Sequence, residues 1–170
     1  VYSDLGDHKR STEMLARISA KSPNARTLVQ LASEYEQMRE YALAAQAYKR
    51  ALELNPSNTA DIKRALAQDY LLAEEYADAL KIYQELVTEE PNDVLSWLRI
   101  SQVHRQMRQF DKAREAADKA KALDASNLDV RYNDVSMLEA EGKTPEAIKL
   151  LKDILDSTAK RSYNPSERAN

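Results

Sequence analysis

Cysteine is missing altogether from the 170 residues. That excludes disulfides, thiolate metal sites and cysteine nucleophiles, and it leaves the redox compartment open. Glycine occurs twice and proline five times, too seldom for a loop-rich or all-β chain but in keeping with helices joined by short turns. The two histidines, His8 and His104, are not spaced for a metal site, and HExxH, a glycine-rich phosphate loop and GxSxG are all absent. Nothing in the pattern calls for a cofactor or a catalytic group. No run of 18 apolar residues occurs, so no membrane-spanning helix is expected. The formal net charge is −3, without the basic excess of a nucleic-acid binder. Lys9-Arg10 and Lys160-Arg161 are too short to change that. The absence of an initiating methionine and of a charged-then-apolar leader reads as a processed product or an excised segment.

What the chain does have is alanine, leucine, glutamate, lysine and arginine, all good helix formers, arranged in a recurring pattern. YADALKIYQELVTEEP at Tyr76–Pro91 repeats YALAAQAYKRALELNP at Tyr41–Pro56. The pattern returns from Phe110 as FDKAREAADKAKALDA and from Thr144 as TPEAIKLLKDILDSTA. Apolar residues at helical spacing mark the partner segments: Leu28, Leu31, Ala32 and Tyr35, then Ile62, Leu66, Ala67 and Tyr70, then Trp97, Ile100, Ser101 and His104. Asn24, Asn58 or Thr59, Asp93 and Thr144 read as N-caps, and Pro56 and Pro91 as helix stops. The expected organisation is an N-terminal helix over residues 1–24, the remnant of an upstream repeat. Repeats follow at 25–58, 59–93 and 94–127, with a divergent one at 128–161 and a truncated helix or tail at 162–170. The first helix is expected to carry Met14, Leu15, Ile18 and Ala20 as its apolar stripe.

Small residues stand at fixed places, Ala32, Ala67 and Ser101 on first helices and Ala44, Ala79, Ala113 and Ala147 on second helices. There two helices can cross closely. Tyr41, Tyr76 and Phe110, with Tyr48 and Tyr83, can wedge one pair against the next. Repeat four departs from this: Asp134 stands where Leu31, Leu66 and Ile100 stand, and Arg131 where Leu28 and Trp97 stand. The favoured expectation is that its first helix rotates to bury Tyr132, Val135 and Leu138. The alternative is that Asp134 finds a cation such as Arg131. The final helix, apolar at Ile148, Leu150, Leu151 and Leu155, needs a cover from the following segment, another repeat or a second copy.

Four such units at a period of 34 or 35 residues resemble the tetratricopeptide repeat family, with its W-x2-L-G-x2-Y…A-x3-F…P pattern. The resemblance implies an all-α fold, a right-handed α-solenoid of antiparallel helix pairs whose first helices line a concave, partner-binding groove. Carried over position by position, it points inward Arg64 and Gln68 in repeat two, Arg99, Gln102 and Arg105 in repeat three, and Tyr132 and Asn133 in repeat four. Guanidinium forks beside amides suit a carboxylate or a peptide backbone, so the expected partner is a protein or peptide, with an acidic one the best match to these groups. Family co-chaperones grip a C-terminal carboxylate with a lysine- and asparagine-rich clamp. The matching positions here are Val29, Ser33, Ala65, Leu95 and Arg99, of which only Arg99 agrees, and that role is not expected. His104 falls where Tyr35 and Tyr70 fall and reads as a packing residue; His8 reads as a surface one. The resulting expectation is a non-enzymatic interaction scaffold. The alternatives are a secretion-type chaperone, a scaffold self-associating through its terminal helices, and the substrate-recognition part of a larger enzyme.

Overall fold

The computed structural model describes residues 2–162 of the chain, with side chains over 6–159. The truncated helix or tail expected at 162–170 lies, beyond residue 162, outside the described residues. Among the described residues there are nine α-helices and no strand: α1 (Tyr2–Lys21), α2 (Ala25–Gln37), α3 (Tyr41–Glu53), α4 (Thr59–Leu72), α5 (Tyr76–Glu89), α6 (Val94–Gln106), α7 (Phe110–Leu123), α8 (Leu128–Ala140) and α9 (Thr144–Ser162). They form two compact units, Val1–Pro91 with α1–α5 and Asn92–Asn170 with α6–α9. In the first unit each helix packs on the next, from α1 through α5. In the second, α6, α7, α8 and α9 do the same, and α6 also touches α8. This is the stacking of a solenoid, in which a helix pair too thin to bury both faces gains its core from its neighbour.

The termini show why the helices start and stop where they do. The Asn24 side chain accepts the Arg26 amide at 2.8 Å, Asn127 accepts those of Asp129 and Val130 at 2.8 and 3.3 Å, and Asp93 accepts the Ser96 amide at 3.2 Å. Asn58 makes no such bond at the start of α4; there Thr59 Oγ1 donates to Pro56 O instead. The first helix of every repeat ends alike. The amides of Glu40, Glu75, Gln109 and Lys143 reach back to the carbonyls of Tyr35, Tyr70, His104 and Leu138 at 2.8–2.9 Å. The residue before each of those amides, Arg39, Glu74, Arg108 or Gly142, sits in the left-handed region at φ 60°, 60°, 58° and 75°. This is a Schellman closure, which glycine adopts without strain and other residues at a cost. Only repeat four supplies the glycine.

The small residues do what their size allows: Ala32, Ala67, Ser101, Ala44, Ala79, Ala113 and Ala147 are all buried. In the first unit Leu31, Ala32, Ala44, Ala45, Tyr48, Ile62 and Leu66 make one cluster spanning α2, α3 and α4. In the second, Leu98 packs with Ala120 and Val130, Ala113 and Ala117 with Met137, and Val135 with Ala147 and Ile154. Tyr48 and Tyr83 are buried, while Tyr41, Tyr76 and Phe110 are half-buried.

Two expectations are corrected. On α1, Met14 and Ile18 are exposed at 65% and 46%. The inward face carries Thr12, Leu15, Ala16 and Ser19. Thr12 and Ser19 tolerate burial because their hydroxyls donate to Lys9 O and Leu15 O within the same helix. On α8 the helix does not rotate Asp134 outward. Asp134 is 7% exposed, Val135 is buried beside it and Tyr132 is 43% exposed. The cations that compensate Asp134 come from α7: Arg114 at 3.3 Å and Lys121 at 3.0 Å. Arg131 turns to Ser157 instead. Arg114 also holds Glu141 at 2.8 Å, and Lys143 pairs with the same carboxylate at 3.0 Å. Burial alone would raise the Glu141 carboxyl, but the bonds from Lys143 and Arg114 hold it below its ordinary range.

Candidate partner-binding faces

The seven residues expected to point inward divide between the two units. In the first, α4 carries Arg64 and Gln68. Arg64 is committed locally: Nη1 donates to Asp61 at 3.3 Å and Nη2 to Glu90 at 2.6 Å. Gln68 Oε1 accepts the Tyr83 hydroxyl at 3.4 Å, so this amide also supports the packing of α5 on α4.

The second unit is different. α6 carries Arg99, Gln102 and Arg105 along one side, and α8 brings Asn133 against it. Arg99 Nη1 donates to Gln102 Oε1 at 2.8 Å, and Arg105 Nη1 to Asn133 Oδ1 at 3.3 Å. Asn133 Nδ2 donates onward to the buried Ser101 hydroxyl at 3.1 Å, which fixes the amide orientation. Among the described residues, no carboxylate stands within ion-pair distance of either arginine; Glu139 acts on Arg105 only through space. Burial pulls the Arg105 guanidinium below its usual range, and the Glu139 charge opposes that. Tyr132 and Leu95 are exposed on the same two helices. Among the described residues, this face therefore offers two guanidinium groups bonded to amides, an ordered asparagine and uncovered apolar surface.

One constellation lies outside what the residue pattern suggested. Asp69 on α4 is 1% exposed, and its Oδ2 has no hydrogen-bond partner among the described residues. Its carboxyl meets that of Glu36 on α2, and Glu36 Oε1 accepts the Tyr48 hydroxyl of α3 at 3.2 Å. Burial first, then the Glu36 charge and the hydrogen bond to Glu36, push the Asp69 carboxyl up to about 8. Burial and the Glu36 charge likewise raise the Tyr48 phenol. Aligning the repeats flags the site, because Asp69 stands where Val103 and Met137 stand, both buried and apolar. The histidines are packing groups. His104 is buried with Nδ1 against Gln109 Oε1 at 2.8 Å. His8 is not a free surface residue: it is half-buried against Glu34.

Helix pairs stacked by small-residue crossings, each closed by the same left-handed turn, define a helical-repeat protein. The chain belongs to the tetratricopeptide repeat family: two models of that family match residues 25–58 and 70–135. Solved structures share the fold. One is a MamA crystal structure, 20% identical with a TM-score of 0.73 and 92% of each chain covered. Another is a tetratricopeptide repeat protein from Parabacteroides merdae, 19% identical with a TM-score of 0.76, covering 93% of this chain and 63% of that one. MamA from Desulfovibrio magneticus RS-1, 18% identical with a TM-score of 0.74, covers 94% and 89%. Among curated proteins the chain is similar to human protein O-mannosyl-transferase TMTC1, 28% identical over 123 residues. The match takes in 72% of this chain but only 14% of that protein's length.

Proposed function

We propose that the chain is a non-enzymatic interaction scaffold and that the α6–α8 face of the second unit holds a carboxylate-bearing segment of a partner protein. One observation carries this reading: among the described residues Arg99 and Arg105 bond to amides, whereas Arg64 and Arg114 are each paired with two carboxylates of this chain. A planar guanidinium with spare donors is suited to a fork-to-fork bond with a carboxylate. Asn133, held by Ser101 and Arg105, is suited to reading a peptide backbone, and Tyr132 and Leu95 supply apolar contact. Arg64 and Gln68 take a smaller part, since Arg64 is held by Asp61 and Glu90 and the Gln68 carbonyl by Tyr83.

A fluorescein-labelled Glu-rich decapeptide, followed by anisotropy at low and physiological salt, tests this. Charge reversal at Arg99 and Arg105 is expected to weaken binding about tenfold or more, the scale of one lost charge-assisted pair, and reversal at Arg64 to do much less. Equal affinity for the wild-type chain and the Arg99→Glu/Arg105→Glu variant removes the proposal.

A second reading has its own support. The similarity to a short segment of a mannosyl-transferase favours a role for such an array as the partner- or substrate-recognising part of a larger enzyme. Mannosyl-transfer activity of the full-length native polypeptide, lost when these repeats are deleted, is the test.

A further inference from the structure

Each hairpin places one residue of its first helix opposite one near the end of its second. In repeat two these are Lys63 and Glu89, paired at 2.6 Å with Glu85 adding a second carboxylate at 3.5 Å. That hydrogen bond to Glu89 raises Lys63 above its ordinary value. The same register in repeat one holds Leu28 and Leu54, and in repeat three Trp97 and Leu123. Charge is therefore either balanced or absent at this place. Repeat four breaks the rule with Arg131 facing Ser157. Arg131 Nη1 donates to Ser157 Oγ at 3.1 Å, and among the described residues no carboxylate comes within ion-pair distance of it. At the place where Glu89 pairs with Lys63 in repeat two, repeat four has a half-open cavity of about 150 Å³ lined by Ala125, Ser126, Leu128, Arg131, Ser157 and Thr158.

We propose that this cavity between the start of α8 and the end of α9 binds a small tetrahedral oxyanion, a phosphate or sulfate group, which supplies the negative charge that Glu89 supplies in repeat two. One Arg131 donor is used on Ser157, and the guanidinium keeps a two-pronged fork for the ligand. Ser157 can add a further bond at little cost. Its proton rests on Ile154 O at 2.8 Å, a carbonyl that the helix backbone also pairs; the Thr158 hydroxyl lies 3.1 Å from the same oxygen and 2.8 Å from Leu155 O. Turning the Ser157 hydroxyl outward leaves Ile154 O with its backbone partner in α9. Asp124, the acidic side chain in the adjoining loop, is bound up with Ser126: it accepts the Ser126 amide at 3.2 Å and hydroxyl at 2.9 Å. A free phosphate ion and a phosphorylated side chain share this chemistry.

The test titrates inorganic phosphate and, in parallel, O-phosphoserine into the whole isotopically labelled chain, with chloride holding ionic strength constant. Amide shifts are followed by NMR. Saturable shifts are expected at Ser126–Leu128 and at Ser157–Thr158. Comparable shifts with both ligands mean that the site accepts a phosphate carried on a side chain, and phosphate alone means a free ion. Arg131→Gln should weaken binding about tenfold, the loss of one charge-assisted contact. Ser157→Glu rebuilds the Lys63–Glu89 arrangement; it should raise the melting temperature, showing that it folds, and abolish the phosphate response. Shifts that never saturate, or that persist unchanged in Arg131→Gln or Ser157→Glu, overturn the assignment.

Discussion

Asp69→Asn should make the first unit more stable in alkali, although it removes a charge from a protein rich in salt bridges. Asp69 is sealed between α2, α3 and α4 with Glu36 and the Tyr48 hydroxyl as polar neighbours. Its carboxyl keeps its proton in the folded state up to about pH 8 but in the unfolded chain releases it near the ordinary value of 3.8. A carboxyl raised on folding stabilises fully below the unfolded value, and that contribution drains away as pH climbs toward the folded one. The slope is at most about 1.4 kcal/mol per pH unit for one proton. Between pH 6 and 8 the wild-type chain should therefore lose up to about 3 kcal/mol relative to Asp69→Asn, which has no proton to give up. The two units need not unfold together, so hydrogen–deuterium exchange on peptides from α2–α4 is the appropriate measurement, with Trp97 fluorescence reporting on the second unit. The expected result is a protection difference that shifts in the variant's favour from pH 5 to about pH 8 and is level beyond it, confined to α2–α4. Curves that stay parallel across that range, or a variant that is the weaker protein at pH 9, would show that burial beside Glu36 does not raise the Asp69 carboxyl.

Two further outcomes concern the frame. Ala79→Leu forces a larger side chain into the fully buried crossing of α4 and α5 and should cost about 1–3 kcal/mol in urea denaturation. Glu74→Gly relieves a left-handed turn at φ 60° and should stabilise by about 0.5–1 kcal/mol, whereas Gly142→Ala, at φ 75° with open space where the new Cβ would sit, should lose about 1 kcal/mol from backbone strain alone. Thermal melts of the two variants distinguish the signs directly.

Much of this protein is readable from its residues taken in order. Helical spacing, proline stops and asparagine or aspartate caps act within a few residues of each other, so the helices and their approximate ends are local consequences. The repeat adds to this, because alanines at the same place in successive hairpins must meet the same crossing. Tertiary packing decides everything that depends on a partner distant in sequence. Asp134 looks misplaced until Arg114 and Lys121 arrive from α7. Arg64 looks ready for a ligand until Glu90 closes on it, and Asp69 looks ordinary until burial against Glu36 changes its acidity. Charge is where local reading stops. Whether a cation is spare or spent, and whether a carboxyl is ionised, is set by the groups that folding brings within about 4 Å of it and by the water that folding removes. That is why the helices could be drawn in advance, while only the folded chain shows that Arg99, Arg105 and Arg131 have no carboxylate of their own among the described residues.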